Sequence, residues 1–113
     1  MKQHPLAERS LDFAVDIVTL CNSIERHAVL KNQLIRSATS IGANIHEGVY
    51  AASDGDFAAK YQISLKECYE TEYWLKIMER VGIITHDAAT SLLQQCGSIR
   101  CMLIASIRKV KAR

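Results

Sequence analysis

Gln33-Leu34-Ile35-Arg36-Ser37-Ala38-Thr39-Ser40-Ile41-Gly42-Ala43-Asn44-Ile45-His46-Glu47-Gly48 decides the reading of this chain. Leu34, Ala38, Ile41 and Ile45 recur at spacings of four, three and four, which is the buried stripe of a helix. At ~100° per residue, Arg36, Ser40, Asn44 and Glu47 fall together as a polar row beside that stripe. A solvent-facing row favours Lys and Glu, whereas this one sets short hydrogen-bonding side chains between a guanidinium and a carboxylate. Ser37, Ala38, Gly42 and Ala43 are small enough to let a second helix approach closely.

Working outward, the rest of the chain repeats the helical pattern. Phe13, Ile17, Leu20, Cys21 and Ile24 form an apolar stripe, widened by Ala14 and Val18, in a first helix predicted over about 5–26, with Pro5 in its first turn. His27 to Leu30 is the predicted connection to a second helix over about 31–50. Ser53-Asp54-Gly55-Asp56 is a capping signal: Ser53 caps a third helix over 54–80, and Asp56 stands at its third position. The inner stripe of that helix is Phe57, Tyr61, Ser64, Cys68, Thr71, Leu75 and Met78; Ile63, Glu67, Glu70, Trp74 and Ile77 lie on a second face. Gly82 closes it, and Thr85 opens a fourth helix over about 86–111. Four helices joined by short connections predict a single all-α domain, an antiparallel up-down-up-down four-helix bundle spanning 1–113.

The fourth helix is apolar nearly all round between Ile99 and Ile107, through Cys101, Met102, Leu103, Ile104 and Ala105. An edge helix of a small bundle has one buried face, so the excess predicts a cover, either a second copy of the chain or a partner protein.

Composition narrows the function. The chain has 113 residues, one Pro and five Gly, which disfavours a loop-rich or all-β domain. Its apolar runs reach about five residues against the ~20 of a membrane span, and the N-terminus lacks a signal-peptide core. A cytoplasmic protein with no membrane association is expected. Cys21, Cys68, Cys96 and Cys101 form no paired metal-ligand spacing, so reduced cysteines and no metal site are expected. No phosphate loop, nucleophile elbow or paired metal-binding motif is present, and adjacent His46 and Glu47 diverge by about 100° on a helix. A non-enzymatic protein with no cofactor is expected.

The charges are uneven. Residues 1–56 carry five bases and seven acids, whereas 57–113 carry nine bases and five acids. No acid follows Asp87, while Arg100, Arg108, Lys109, Lys111 and Arg113 do. These five are the candidate contacts to nucleic acid, RNA or DNA, with helix-dipole complementation as the alternative. The row Arg36, Ser40, Asn44 and Glu47 is either a polar groove or a buried network pairing helices two and three through Glu67 or Glu70. In the buried case Arg36→Ala would cost several kcal/mol. Tyr50, Tyr69 and Tyr73 are the aromatics open to stacking on bases, with packing as their competing use.

The segment from Gln33 to Gly48 resembles the signature of the bacterial four helix bundle protein family, which includes proteins encoded in intervening sequences of 23S ribosomal RNA genes. The likeness continues at Ser53-Asp54-Gly55-Asp56-Phe57, at Ile63-Ser64-Leu65-Lys66-Glu67, and at Glu70-Thr71 with Tyr73-Trp74-Leu75. It departs at Lys31, where a helix-capping Ser is usual. The resemblance implies a homopentameric ring and a role with RNA or DNA. A more distant similarity is to the accessory protein of diversity-generating retroelements. An accessory subunit or scaffold for a protein partner, without nucleic-acid binding, is the competing expectation.

Overall fold

The computed structural model describes residues 4–113. Four helices follow one another: α1 (Pro5–Asn22), α2 (Ala28–Val49), α3 (Asp54–Arg80) and α4 (His86–Lys111). They run up, down, up and down around a body of 46 × 25 × 22 Å. Each packs on its chain neighbours, and α4 closes the ring on α1. The α2–α3 seam is the most extensive and the α1–α4 seam the thinnest.

The third and fourth helices begin where their capping residues place them. Ser53 Oγ accepts the Asp56 N–H at 3.1 Å, and the Asp56 carboxylate accepts the Ala52 N–H at 3.3 Å. Thr85 Oγ1 accepts the Ala88 N–H at 3.1 Å. Between them Gly82 takes φ +81°, a left-handed conformation that costs an L side chain strain. The Gly82 and Ile83 N–H groups then close the last turn of α3 on the carbonyls of Glu79 and Met78.

The first junction differs from expectation. α1 stops at Asn22 rather than Arg26, and α2 starts at Ala28 rather than Lys31. Ser23 ends α1, its hydroxyl donating to the Leu20 carbonyl at 2.6 Å. His27 precedes α2 at φ +67° with no side-chain cap. Lys31 is therefore a first-turn residue rather than a cap, and its Nζ donates to the Ile24 carbonyl at 2.6 Å, tying the turn across its mouth.

The core sits where the stripes predict. Leu34, Ala38, Ile41 and Ile45 of α2 are fully buried, against Phe13 and Ile17 of α1, Tyr61, Cys68, Leu75 and Met78 of α3, and Cys96, Ile99 and Leu103 of α4. The α2–α3 seam also carries hydroxyls. Ser64 Oγ donates to the Ile41 carbonyl at 2.8 Å, and Thr71 Oγ1 meets Ser37 Oγ at 2.9 Å. These side chains are short, so the helix axes come close while each hydroxyl keeps a partner. Gly48 marks the tightest approach: a Cβ there would stand 2.7 Å from Tyr61 Cε1.

On α4, Ile99, Leu103 and Ile107 point inward, Met102 and Ile104 are half-buried, and Cys101 and Ala105 are exposed. The apolar excess of this helix thus lies at its flanks and on its surface. Among the described residues no helix is long and apolar enough to cross a membrane.

Candidate functional site

The polar row on α2 does not form one network. Arg36 crosses to α3, its guanidinium donating to Glu67 Oε2 at 3.3 Å and to Glu70 Oε2. Asn44 turns back on its own helix and donates from Nδ2 to the Ser40 carbonyl at 2.8 Å. Glu47 pairs with Lys60 of α3, Nζ to Oε1 at 3.0 Å, a partner the row alone did not reveal. That hydrogen bond raises the Lys60 pKa above its ordinary value. The row therefore supplies two separate rungs across the rim of the α2–α3 seam. It is not buried: the Arg36 side chain is 48 % exposed. An ion pair this open is screened by water, which lowers the expected cost of losing Arg36.

The five basic residues of α4 also separate. Arg100 lies well above the helix end and donates from Nε to Glu72 Oε2 at 3.0 Å. That hydrogen bond raises its pKa further, and the guanidinium stands 5.6 Å from the Tyr69 ring centroid. Arg113 pairs with Asp54 at 3.0 Å, joining the end of α4 to the start of α3. Arg108, Lys109 and Lys111 are exposed and form no ion pair among the described residues. The cationic end of the bundle is thus three residues per chain rather than five. Among the described residues no three His, Cys, Asp or Glu side chains come together to hold a metal ion.

One arrangement is not apparent from the sequence. Lys66, Tyr69, Tyr73, Lys76 and Arg80 are all exposed and follow each other at three- and four-residue steps along the outer face of α3. More than half of each tyrosine is open to solvent: Tyr69 is 53 % and Tyr73 59 % exposed. The acids of α3 that flank them are drawn aside. Glu67 and Glu70 face Arg36 on α2, Glu72 holds Arg100 on α4, and Glu79 Oε2 lies 2.6 Å from His86 Nδ1. The spacing was visible in the sequence, but a linear count of charge sees four acids against three bases between Lys66 and Arg80. Only the lateral pairing shows which charges stay free.

The same bundle occurs among solved structures. A crystal structure of a protein of unknown function from the S23 ribosomal protein family of Bacteroides thetaiotaomicron is similar, with a TM-score of 0.87 and 41% identity. The match covers 90% of this chain and 97% of that one. Among curated proteins, none matches the chain. The model of the 23S rRNA-intervening sequence protein family matches residues 2–105, which takes in all of α1, α2 and α3 and most of α4. The four-helix architecture, the Gln33–Gly48 stretch that resembled the family, and the match over nearly the whole chain agree, and the chain belongs to the 23S rRNA-intervening sequence protein family.

Proposed function

We propose that this protein is a non-enzymatic, cytoplasmic, homo-oligomeric nucleic-acid-binding protein that grips phosphates with little sequence specificity. The observation that carries the reading is the group Arg108, Lys109 and Lys111, three exposed cations within one turn of a helix end, with no acid partner among the described residues. Three charges on one chain make a modest field. Repeated around a ring, pentameric as the family resemblance suggests, they make a polyanion site in which each phosphate contact adds through counterion release. The family's description, which refers to intervening sequences of 23S ribosomal RNA, favours RNA as the first ligand to try.

Assembly has its own support. Leu11 and Val15 stand exposed four residues apart on α1, and the flanks of α4 add Met102 and Ile104, half-buried. A second copy is the simplest cover for these surfaces.

The test is gel retardation of structured RNA and duplex DNA across a salt series, with the mass of the same sample taken by light scattering. Retardation by a multimer is expected, with log K falling by about 0.7–0.9 per log salt for every phosphate contacted. Charge reversal at Arg108, Lys109 and Lys111 together should abolish it. A multimer that retards neither nucleic acid at low salt overturns the reading. The apolar surface on α1 would then favour the competing one, a scaffold for a protein partner.

A further inference from the structure

The outer face of α3 has a chemistry distinct from the end of α4. Lys66, Tyr69, Tyr73, Lys76 and Arg80 span fourteen residue steps, about 21 Å at 1.5 Å per residue. Two open aromatic rings lie at the centre, about 6 Å apart along the axis. Cations lie to both sides of them: Lys66 toward the start of the helix, Lys76 and Arg80 toward its end.

Three observations single this face out. The rings are half-exposed or more, whereas Tyr61 of the same helix is buried and stacked against Phe57 with centroids 4.0 Å apart. The face presents unpaired cations because the four glutamates of this stretch turn sideways, Glu67 and Glu70 toward Arg36, Glu72 toward Arg100 and Glu79 toward His86. Tyr69 is also braced, with the Arg100 guanidinium over its ring and Glu72 holding that guanidinium in place. Beside Tyr69 runs a shallow apolar groove lined by Gln62, Ile63, Leu65 and Lys66. Tyr73 in turn meets the edge of Trp74, centroids 5.4 Å apart, and Trp74 Nε1 donates to Glu70 at 3.0 Å. Both rings are therefore pre-set by neighbours before any ligand arrives.

We infer that the outer face of α3 is a track for single-stranded nucleic acid, with Tyr69 and Tyr73 stacking on unpaired bases and Lys66, Lys76 and Arg80 contacting the backbone on either side. The inference rests on the nucleic-acid reading above, and it names the form of the ligand and a different set of residues. Unpaired bases expose π-faces to a convex helix, whereas a duplex keeps those faces against each other and offers this surface only phosphates. Stacking tolerates any base, so the track selects strandedness rather than sequence. Charge complementarity sets the ligand class: a surface of free cations around aromatic rings fits a polyanion that also carries flat apolar groups.

The experiment is fluorescence anisotropy with the full chain and four labelled probes of about twelve nucleotides, within the range of site sizes for such surfaces. The probes are single-stranded RNA, single-stranded DNA, a blunt duplex and an abasic strand of the same backbone. Both base-bearing single strands should bind more tightly than the duplex and the abasic strand, and the RNA and DNA arms show which sugar is preferred. Tyr69→Ala and Tyr73→Ala should each weaken single-strand binding by roughly 5- to 100-fold, from the usual value of one stacked base. Neither should change binding of the abasic strand. Tyr69→Phe and Tyr73→Phe should restore it, since the ring and not the hydroxyl stacks. Lys66→Gln, Lys76→Gln and Arg80→Gln together should lower the salt slope by about two. All of these side chains are exposed, and unchanged helicity and mass confirm that each variant folds and assembles.

Equal binding by the alanine variants, or a duplex and abasic strand bound as tightly as the base-bearing strand, overturns the track while the basic end of α4 stands. Loss of all binding only on charge reversal of Arg108, Lys109 and Lys111, with the tyrosine variants unaffected, overturns it as well. Tyrosine-dependent binding that survives that reversal supports the track and removes the α4 end. No binding of any probe at low salt overturns both.

Discussion

Gly48→Ala is a severe perturbation hidden in a mild substitution. By helix propensity alone it would help: Gly in a helix interior costs roughly 1 kcal/mol against Ala, and less in a last turn. The packing opposes it. The new Cβ would lie 2.7 Å from Tyr61 Cε1 and 2.9 Å from Cδ1, well inside the ordinary contact range of 3.4–4 Å. Tyr61 cannot retreat, because it is fully buried and its ring rests against Phe57. The α2–α3 seam must open or the tyrosine must leave its rotamer, and overpacking of this kind costs about 1–3 kcal/mol. With a propensity gain of about 0.5 kcal/mol subtracted, Gly48→Ala should destabilise by about 0.5–2.5 kcal/mol, a fall in Tm of roughly 3–15 °C for a chain of this size. Gly42→Ala is the internal control. Its Cβ would stand 3.3 Å from Ser10 Oγ, which would have to give by only a few tenths of an ångström, and its site is mid-helix, where the propensity gain is full. The roughly 1 kcal/mol of propensity gain offsets that mild crowding at this buried site, so Gly42→Ala should destabilise by less than Gly48→Ala does. Urea unfolding of the three proteins measures both. A Gly48→Ala protein as stable as the parent would refute the argument that the tyrosine ring is wedged against α2.

Arg36→Ala should cost about 1 kcal/mol, because the pair is half-exposed and Glu70 keeps the Trp74 indole as a second donor; urea unfolding should also show that cost shrinking at high salt. A loss of several kcal/mol would contradict the open geometry of the pair. Thiol alkylation of the native protein followed by mass spectrometry should modify Cys101 and spare Cys21, Cys68 and Cys96, which are buried. Burial raises the pKa of Cys21; the contact with Cys68, followed by burial, raises that of Cys96, so both thiols also resist forming the reactive thiolate. Labelling of Cys68 at the rate of Cys101 would contradict the packing. His86 should titrate above its ordinary 6.5, chiefly through its hydrogen bond to Glu79. Its folded pKa is raised, so the contact stabilises below the unfolded pKa and is lost as pH rises through the folded one. An NMR titration of His86 that is unchanged by Glu79→Gln would disprove the pairing.

The second half of the bundle was legible because its ends are written locally. Ser53, Gly82 and Thr85 each act within a turn of where they stand, and the bounds 54–80 and 86–111 agree with the structure. The first junction was not legible. His27 adopts a left-handed backbone without a cap, and the turn is held by a lysine reaching back seven residues to a carbonyl. That is tertiary structure, with no local signature. The polar row on α2 was legible only in part: Arg36 reaches Glu67 and Glu70 of α3, as the row suggested. Periodicity places side chains on one face, but it does not say that Asn44 folds back on its helix while Glu47 reaches for Lys60. Gly48 was underread too: nothing before the fold shows that the ring of Tyr61 will occupy its missing side chain.

The thin seam between α1 and α4 has a kinetic consequence. A closed cylinder of four helices should open first where its wall is thinnest, at the α1–α4 seam, with the α2–α3 seam the last to yield. Amide protons of α1 should therefore exchange through an opening smaller than global unfolding. The segment 23–27 becomes the hinge of that motion, and a released α1 fits the vacated groove on any identical neighbour. Two copies can then trade first helices, an arm exchange that links chains through a surface the monomer already has.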